Sequence, residues 1–233
     1  DVLSINTGSI SSTKGIKIEN SSRCFFVKPI SLLVKNLREI DQILKNKKSK
    51  IAIIGGGVAS YELAFSLSRR YGNDLEITIL GKNILKEKNL NKKTKKCIRK
   101  ITKHLGIKEL LGEVVSISQT NLTLKNGVIF ECDLSLLSSG ADIETWLSES
   151  SLNKDKNGFI AVNDNLLSTN DKSIFVTGDA CSIEKNFRPK SGVMAVRQGE
   201  VLKENIFLRL TGKSLIKFRP QKNWLYLVGT YKN

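Results

Sequence analysis

An α/β fold built from strands that end on glycine is predicted for this 233-residue chain. Three observations predict it. Residues 51–62, IAIIGGGVASYE, pass from a β-branched apolar run into three glycines and then into a helix-forming stretch. LSLLSSG (134–140) and SIFVTGDA (173–180) also carry apolar strand patterns into a glycine. Between these junctions, apolar residues recur at helical spacing. Strands that alternate with helices in this way form open, mainly parallel sheets.

Taken in order, residues 1–5 and 16–18 have strand character, separated by Gly8 and a serine-rich turn. Leu33, Leu37, Ile40 and Leu44 lie on one helical face of 31–45, and a lysine-rich hinge at 45–50 follows. The strand at 51–54 leads through the glycine turn to a helix ending near Tyr71, with Leu63, Ala64 and Leu67 toward the sheet. Gly72-Asn73-Asp74 stops that helix, and LEITIL (75–80) is the next strand. A basic helix is expected over 90–105. EVVSIS (113–118), LTL (122–124) and VIFECD (128–133) read as a β-meander, its last two strands joined by a two-residue turn at Asn126-Gly127. Strands at 159–162 and 173–180, a helix at 192–210 and a final strand at 224–229 complete the prediction.

Composition narrows the function. No apolar run reaches the roughly 18–20 residues that cross a bilayer, and no signal peptide is visible. A cytoplasmic protein is expected, with peripheral membrane contact left open. The four cysteines (24, 97, 132, 181) form no C-x-x-C pair or zinc spacing, and His104 is the single histidine. Metal binding and a histidine-based triad are therefore not expected. The net charge of +16 attracts anions, but lysine is spread along the whole chain without the aromatic interleaving that stacks on bases. Nucleic-acid binding is not expected.

The glycine stretch fits a dinucleotide fingerprint, Gly55-x-Gly57-x-x-Ser60, leading through Val58 and Ala59 into a helix. The first glycine permits the tight turn. The second lets backbone approach a pyrophosphate, and the third position needs a small residue for close packing, which Ser60 supplies with one added hydroxyl. The helix N-terminus then offers N–H groups to phosphate. The bland alternative is a glycine turn without a ligand. At the end of the second strand, Gly81-Lys82 replaces the carboxylate that would accept from a ribose 2′-OH. Lys82 reads equally as a partner for a 2′-phosphate or as a solvated surface lysine. NAD versus NADP stays open, leaning toward tolerance of NADP.

Beyond spacing, the chain resembles the pyridine nucleotide–disulfide oxidoreductases, in the branch of the type II NADH dehydrogenases. GGGVASYELA (55–64) resembles that superfamily's NAD(P) signature, which implies that Glu62 sits near the nicotinamide. LSLLSSG, ending at Gly140, resembles the segment that returns the chain toward the flavin domain. STNDKSIFVTGDA (168–180) resembles the second FAD motif, with Gly178 at the turn and Asp179 on the ribityl chain. PKSGVMAVRQG (189–199) resembles the segment that aims a helix at the flavin ring. Arg197 and Gln198 take the place of a glutamine pair there. The arginine weakens the case for a bound quinone, and it could stabilise an anionic reduced flavin. Cys181, beside the Gly-Asp motif, is the one thiol expected near flavin, and structural filler is the simpler reading. Residues 189–206 and 218–230 are similar to a flavoprotein domain found fused to selenide, water dikinase.

The resemblance implies a Rossmann-like NAD(P)-binding domain with a β-meander, inserted in an incomplete FAD-binding domain of the two-dinucleotide-binding flavoprotein type. Residues 1–47 would be a remnant of the FAD domain and a linker helix, 48–144 the NAD(P) domain, and 145–233 the rest of the FAD domain. The opening DVLSINTGS reads as the interior of a longer protein, so this stretch is expected to retain little FAD by itself. The implied activity is hydride transfer from NAD(P)H to flavin and on to an unidentified acceptor, with no side chain needed as acid or base. The rival reading is an NAD(P)H-sensing or docking module without turnover.

Overall fold

The computed structural model describes residues 1–44, 48–85, 90–184, 190–221 and 228–230. In chain order the elements are β1 (Leu3–Ile5), β2 (Lys17–Ile18), β3 (Cys24–Phe26), α1 (Ile30–Leu44), β4 (Ser49–Ile54), α2 (Val58–Tyr71), β5 (Leu75–Gly81) and α3 (Lys92–His104). There follow β6 (Lys108–Leu111), β7 (Val114–Ile117), β8 (Asn121–Leu124), β9 (Ile129–Glu131), β10 (Leu134–Leu137), α4 (Thr145–Ser148), β11 (Ile160–Val162), β12 (Ile174–Val176), β13 (Cys181–Ile183) and α5 (Gly192–Leu210). Most of the final strand expected at 224–229 lies outside the described residues, as do 45–47 of the lysine-rich hinge. Two compact units divide the chain: Asp1–Ile10 with Ala141–Leu225, and Ser11–Gly140 with Tyr226–Asn233.

The unit of Ser11–Gly140 is organised by a parallel sheet in the order β3-β10-β4-β5-β6. Its central strands are apolar on both faces because helices and the meander cover both. Ile51, Ile53 and Ile77 pack with Tyr61, Ala64, Phe65 and Leu67 of α2 and Leu33 and Ile40 of α1. Ala52, Ile54 and Leu80, on the alternate positions, pack with Val114, Ile117, Leu122 and Leu124 of the meander. The fully buried Tyr61 donates its hydroxyl proton to Glu109 on β6, which ties α2 to the sheet edge. Burial, followed by the Glu109 bond, pushes the Tyr61 phenol well above its ordinary pKa.

The meander is a second sheet in the order β2-β7-β8-β9. Its last turn differs from expectation. Leu124 N–H donates to Val128 C=O at 2.8 Å and Gly127 N–H donates to Leu124 C=O at 2.9 Å, enclosing three residues, 125–127. Gly127 takes φ of 85°, so the loop is a tight turn closed by a left-handed glycine, not a two-residue hairpin. β3, β6, β13 and the short α4 were not expected. β3 is three residues long, and β6 is an edge strand whose Lys108 and Glu109 are exposed, so neither shows a clear apolar period.

In the other unit, β1 pairs with β12 and β11 with β13, both in parallel. Phe175, Ile160, Val162, Leu166 and Leu147 are fully buried in its core. The first and last residues flanking the intervening unit meet here: Ile10 and Asp142 exchange both backbone hydrogen bonds, at 2.8 and 3.0 Å. Among the described residues, no helix is long and apolar enough to cross a membrane.

Candidate dinucleotide site

The carboxyl ends of β4, β5 and β10 meet where the strand order reverses. From β4 the chain passes through α2 to β5 on one side, while β10 joins β4 on the other. Such a switch point opens a crevice in α/β sheets. Here it is a cleft of about 390 Å³ lined by Gly55–Gly57, Gly81–Asn83, Glu113 and Ser138–Gly140, among others.

Its floor is backbone packed on backbone. Gly55 has φ of 143°, and a Cβ there would stand 3.0 Å from the carbonyl carbon of Ser138. A Cβ on Gly56 would stand 1.8 Å from the carbonyl oxygen of Asn83. One on Gly81 would stand 2.9 Å from the nitrogen of Gly56. Two hydrogen bonds fix the turn: Gly55 N–H to Leu80 C=O at 2.6 Å, and Leu85 N–H to Gly56 C=O at 2.9 Å. The N–H groups of Gly56 and Gly57 have no acceptor among the described residues. Gly57 is the N-cap of α2, with no side-chain cap bond. Unmade donors at a helix N-terminus suit a phosphate. The turn therefore fits the pyrophosphate of a dinucleotide.

The expected residues fall as follows. Val58 and Ala59 open α2 behind Gly57. Ser60 is fully buried, and its Oγ has no hydrogen-bond partner among the described residues, so the hydroxyl that replaces glycine is accommodated without being used. Gly140, at φ of 64°, lines the cleft against Ser12. Lys82 is at the rim, where its Nζ lies 2.6 Å from Glu113 Oε1. Glu62 accepts a hydrogen bond from Gly229 N–H at 2.8 Å. Glu113 was not anticipated. It follows β6, the strand beside β5, and residues beyond carboxyl ends of neighbouring strands share one crevice.

The second predicted site lies in the other unit. Thr177 leaves β12, and Gly178, at φ of 69°, heads a short 3₁₀ turn over Gly178–Ala180. Gly178 N–H donates to the Oε1 of Gln198 at 2.6 Å. Gln198 is nearly buried on α5, so it serves as an internal support of the turn. Asp179 is half-buried and accepts from Ser9 Oγ at 3.0 Å. Arg197, next to Gln198, is half-buried and has no ion-pair partner among the described residues. The Cys181 thiol donates to Gly178 C=O at 3.4 Å, and burial pushes its pKa up to about 11. A sulfur held as a thiol beneath the turn is structural. No cluster of described residues could hold a metal ion.

A backbone cradle with N–H donors at a switch point gives this α/β chain the geometry that suits a dinucleotide. Comparison with known proteins gives the particular family. The chain belongs to the pyridine nucleotide-disulphide oxidoreductases, whose family profile matches residues 5–199. Over 196 residues it is 28% identical to ferroptosis suppressor protein 1 of Xenopus tropicalis, covering 77% of this chain and 51% of that protein. Its fold is that of the water-forming NADH oxidase of Lactobacillus brevis bound to NADH, with a TM-score of 0.73 and 22% identity over 94% of this chain and 48% of the oxidase. An engineered variant of that oxidase bound to NADPH superposes with a TM-score of 0.72 at 21% identity, with the same coverage. The chain spans about half the length of these relatives.

Proposed function

We propose that this chain is the nucleotide-binding portion of an FAD-dependent NAD(P)H oxidoreductase of the NADH dehydrogenase-like type. The observation that carries the reading is the Gly55-Gly56-Gly81 cradle, where any side chain would meet backbone and where N–H donors face the cleft. The NAD(P)H pyrophosphate lies against Gly56 and Gly57, and the N-terminus of α2 adds its partial positive charge. The Gly178-Asp179 turn holds a flavin, with Asp179 accepting from its hydroxyls. When bound, flavin supplies two-electron chemistry, accepting hydride from NAD(P)H and passing electrons to an acceptor. The side chains position and neutralise, and none is required to move a proton. Arg197 offers positive charge to an anionic reduced cofactor.

The engagement of Gln198 with Gly178 supports an acceptor other than a quinone held by that side chain. The likeness of residues 189–206 and 218–230 to the selenide, water dikinase-linked domain supports including selenium compounds, beside small disulfides, among the acceptors assayed.

The test is anaerobic titration of the full-length flavin-containing protein to which this chain belongs with NADH and then NADPH, following the visible flavin band. Bleaching by either nucleotide is expected. Nucleotide binding without bleaching, and without reduction of any acceptor, would replace this reading with that of an NAD(P)H-sensing module.

A further inference from the structure

We infer that Glu113 sets the preference of this chain between NADH and NADPH, an inference that rests on the nucleotide reading of the cleft. The first observation is steric. The strand-end position that would carry a ribose-binding acid is Gly81, and a Cβ there would stand 2.9 Å from Gly56 N and 3.2 Å from Gly55 C. An acid at 81 would push into the phosphate turn itself. The carboxylate must come from elsewhere or be absent.

The second observation is where a carboxylate does stand. Gly112 N–H bonds to Gly81 C=O at 3.1 Å, which brings the end of β6 alongside the end of β5. Glu113 follows directly and lines the same cleft as Gly81 and Lys82. Its Oε1 lies 2.6 Å from Lys82 Nζ, and its Oε2 lies 3.6 Å from Lys125 Nζ. The two ammonium groups, Lys82 first, hold its carboxyl below the usual range, so it is ionised at neutral pH.

The third point is the charge sum of this cluster, two cations and one anion. A ribose 2′-OH can donate to Glu113, whose lone pairs exceed what two lysines use. A 2′-phosphate carries about −1.5 to −2 at neutral pH. It gains from Lys82 and Lys125 but meets Glu113 as a like charge. Specificity is a difference of affinities, and a repulsive element raises it as surely as an attractive one. Glu113 is thus the specificity-determining residue that restrains NADPH, and the lysines are what admit it.

Binding of NADH and of NADPH to the whole chain, measured by calorimetry, tests this. Glu113→Gln should favour NADPH, lowering the ratio of its Kd to that of NADH by about 10-fold, the size of one charge contact. Lys82→Met should raise the ratio by a similar factor, and 0.5 M salt should shrink both effects. Both nucleotides bound by the parent chain, with a ratio unmoved in both variants, would overturn this inference alone. Neither nucleotide bound by the parent chain would overturn the nucleotide reading and this inference with it.

Discussion

The α-carbon of Gly56 lies so close to the carbonyl oxygen of Asn83 that a methyl group added to it would stand 1.8 Å away. Both partners are backbone, so neither can rotate aside. Gly56→Ala is therefore expected to displace the 81–85 segment, at about 1–3 kcal/mol for an overpacked site. It should also weaken NAD(P)H binding at least 10-fold. Chemical denaturation and nucleotide titration check the two effects. Gly199, inside α5 with open space around it, is the contrast. Gly199→Ala should gain about 0.5–1 kcal/mol from the stiffer unfolded chain.

Gln198 Oε1 accepts from the Gly178 N–H at 2.6 Å, and the side chain is buried. Gln198→Met keeps the volume and removes the acceptor. Leaving that donor unsatisfied should cost about 1–3 kcal/mol. The loss should appear in a urea melt whether or not flavin is present, which separates this support role from a direct contact with an acceptor.

The cysteines should react in an order set by burial. Cys97 is exposed on α3, whereas burial, with Asp133 adding to it, pushes the Cys132 thiol up to about 12. Cys181 is pushed to about 11. At pH 8 the thiolate fractions of these two are then on the order of 1 in 10,000 and 1 in 1,000. Timed alkylation followed by mass spectrometry should label Cys97 at least about 100-fold faster than either. Labelling of Cys181 at the rate of Cys97 would contradict its place in the core.

Acid should weaken the fold through paired surface carboxylates. Arg70, then Tyr71, holds Asp41 below its ordinary pKa, and Lys108 does the same for Glu76. A depressed folded-state pKa gives stability that is present above the unfolded value, near pH 4, and is lost as pH falls through the folded one. Both pairs are well exposed, so each contributes at most about 1 kcal/mol. Asp41→Asn should lower Tm at pH 7 and make no difference by pH 2.

Much of this molecule was legible in the sequence, for identifiable reasons. The long helices were visible from their apolar spacing, as with Leu33, Ile40 and Leu44 on α1, whereas the four residues of α4 are too few to show one. The glycine turn was visible because backbone conformation at 55 and close backbone packing at 56 exclude other residues. β3 was hidden because three residues are too short to show a period, and β6 because Lys108 and Glu109 are exposed at the sheet edge. Glu113 was hidden for another reason. Its place in the cleft depends on β6 lying beside β5, a pairing that no local pattern encodes. Lys82 was seen, but its pairing with Glu113 could not be. The bonds of Gln198 to Gly178 and of Glu62 to Gly229 likewise join residues 20 and 167 positions apart.

The exchange of hydrogen bonds between Ile10 and Asp142, and the pairing of Leu3 with Ile174, bear on the order in which the chain is made. β1 leaves the ribosome well before its partner β12, which emerges only after every strand of the five-stranded parallel sheet has been synthesised. In that sheet β4 pairs with β5 and β5 with β6, neighbours near in sequence, and β10 then joins β4 and β3. Local pairing forms faster than distant pairing. The cleft at the ends of β4 and β5 can thus be assembled on the nascent chain while β1 still waits, and the unit that holds β1 and β12 can close only once translation has passed Val176.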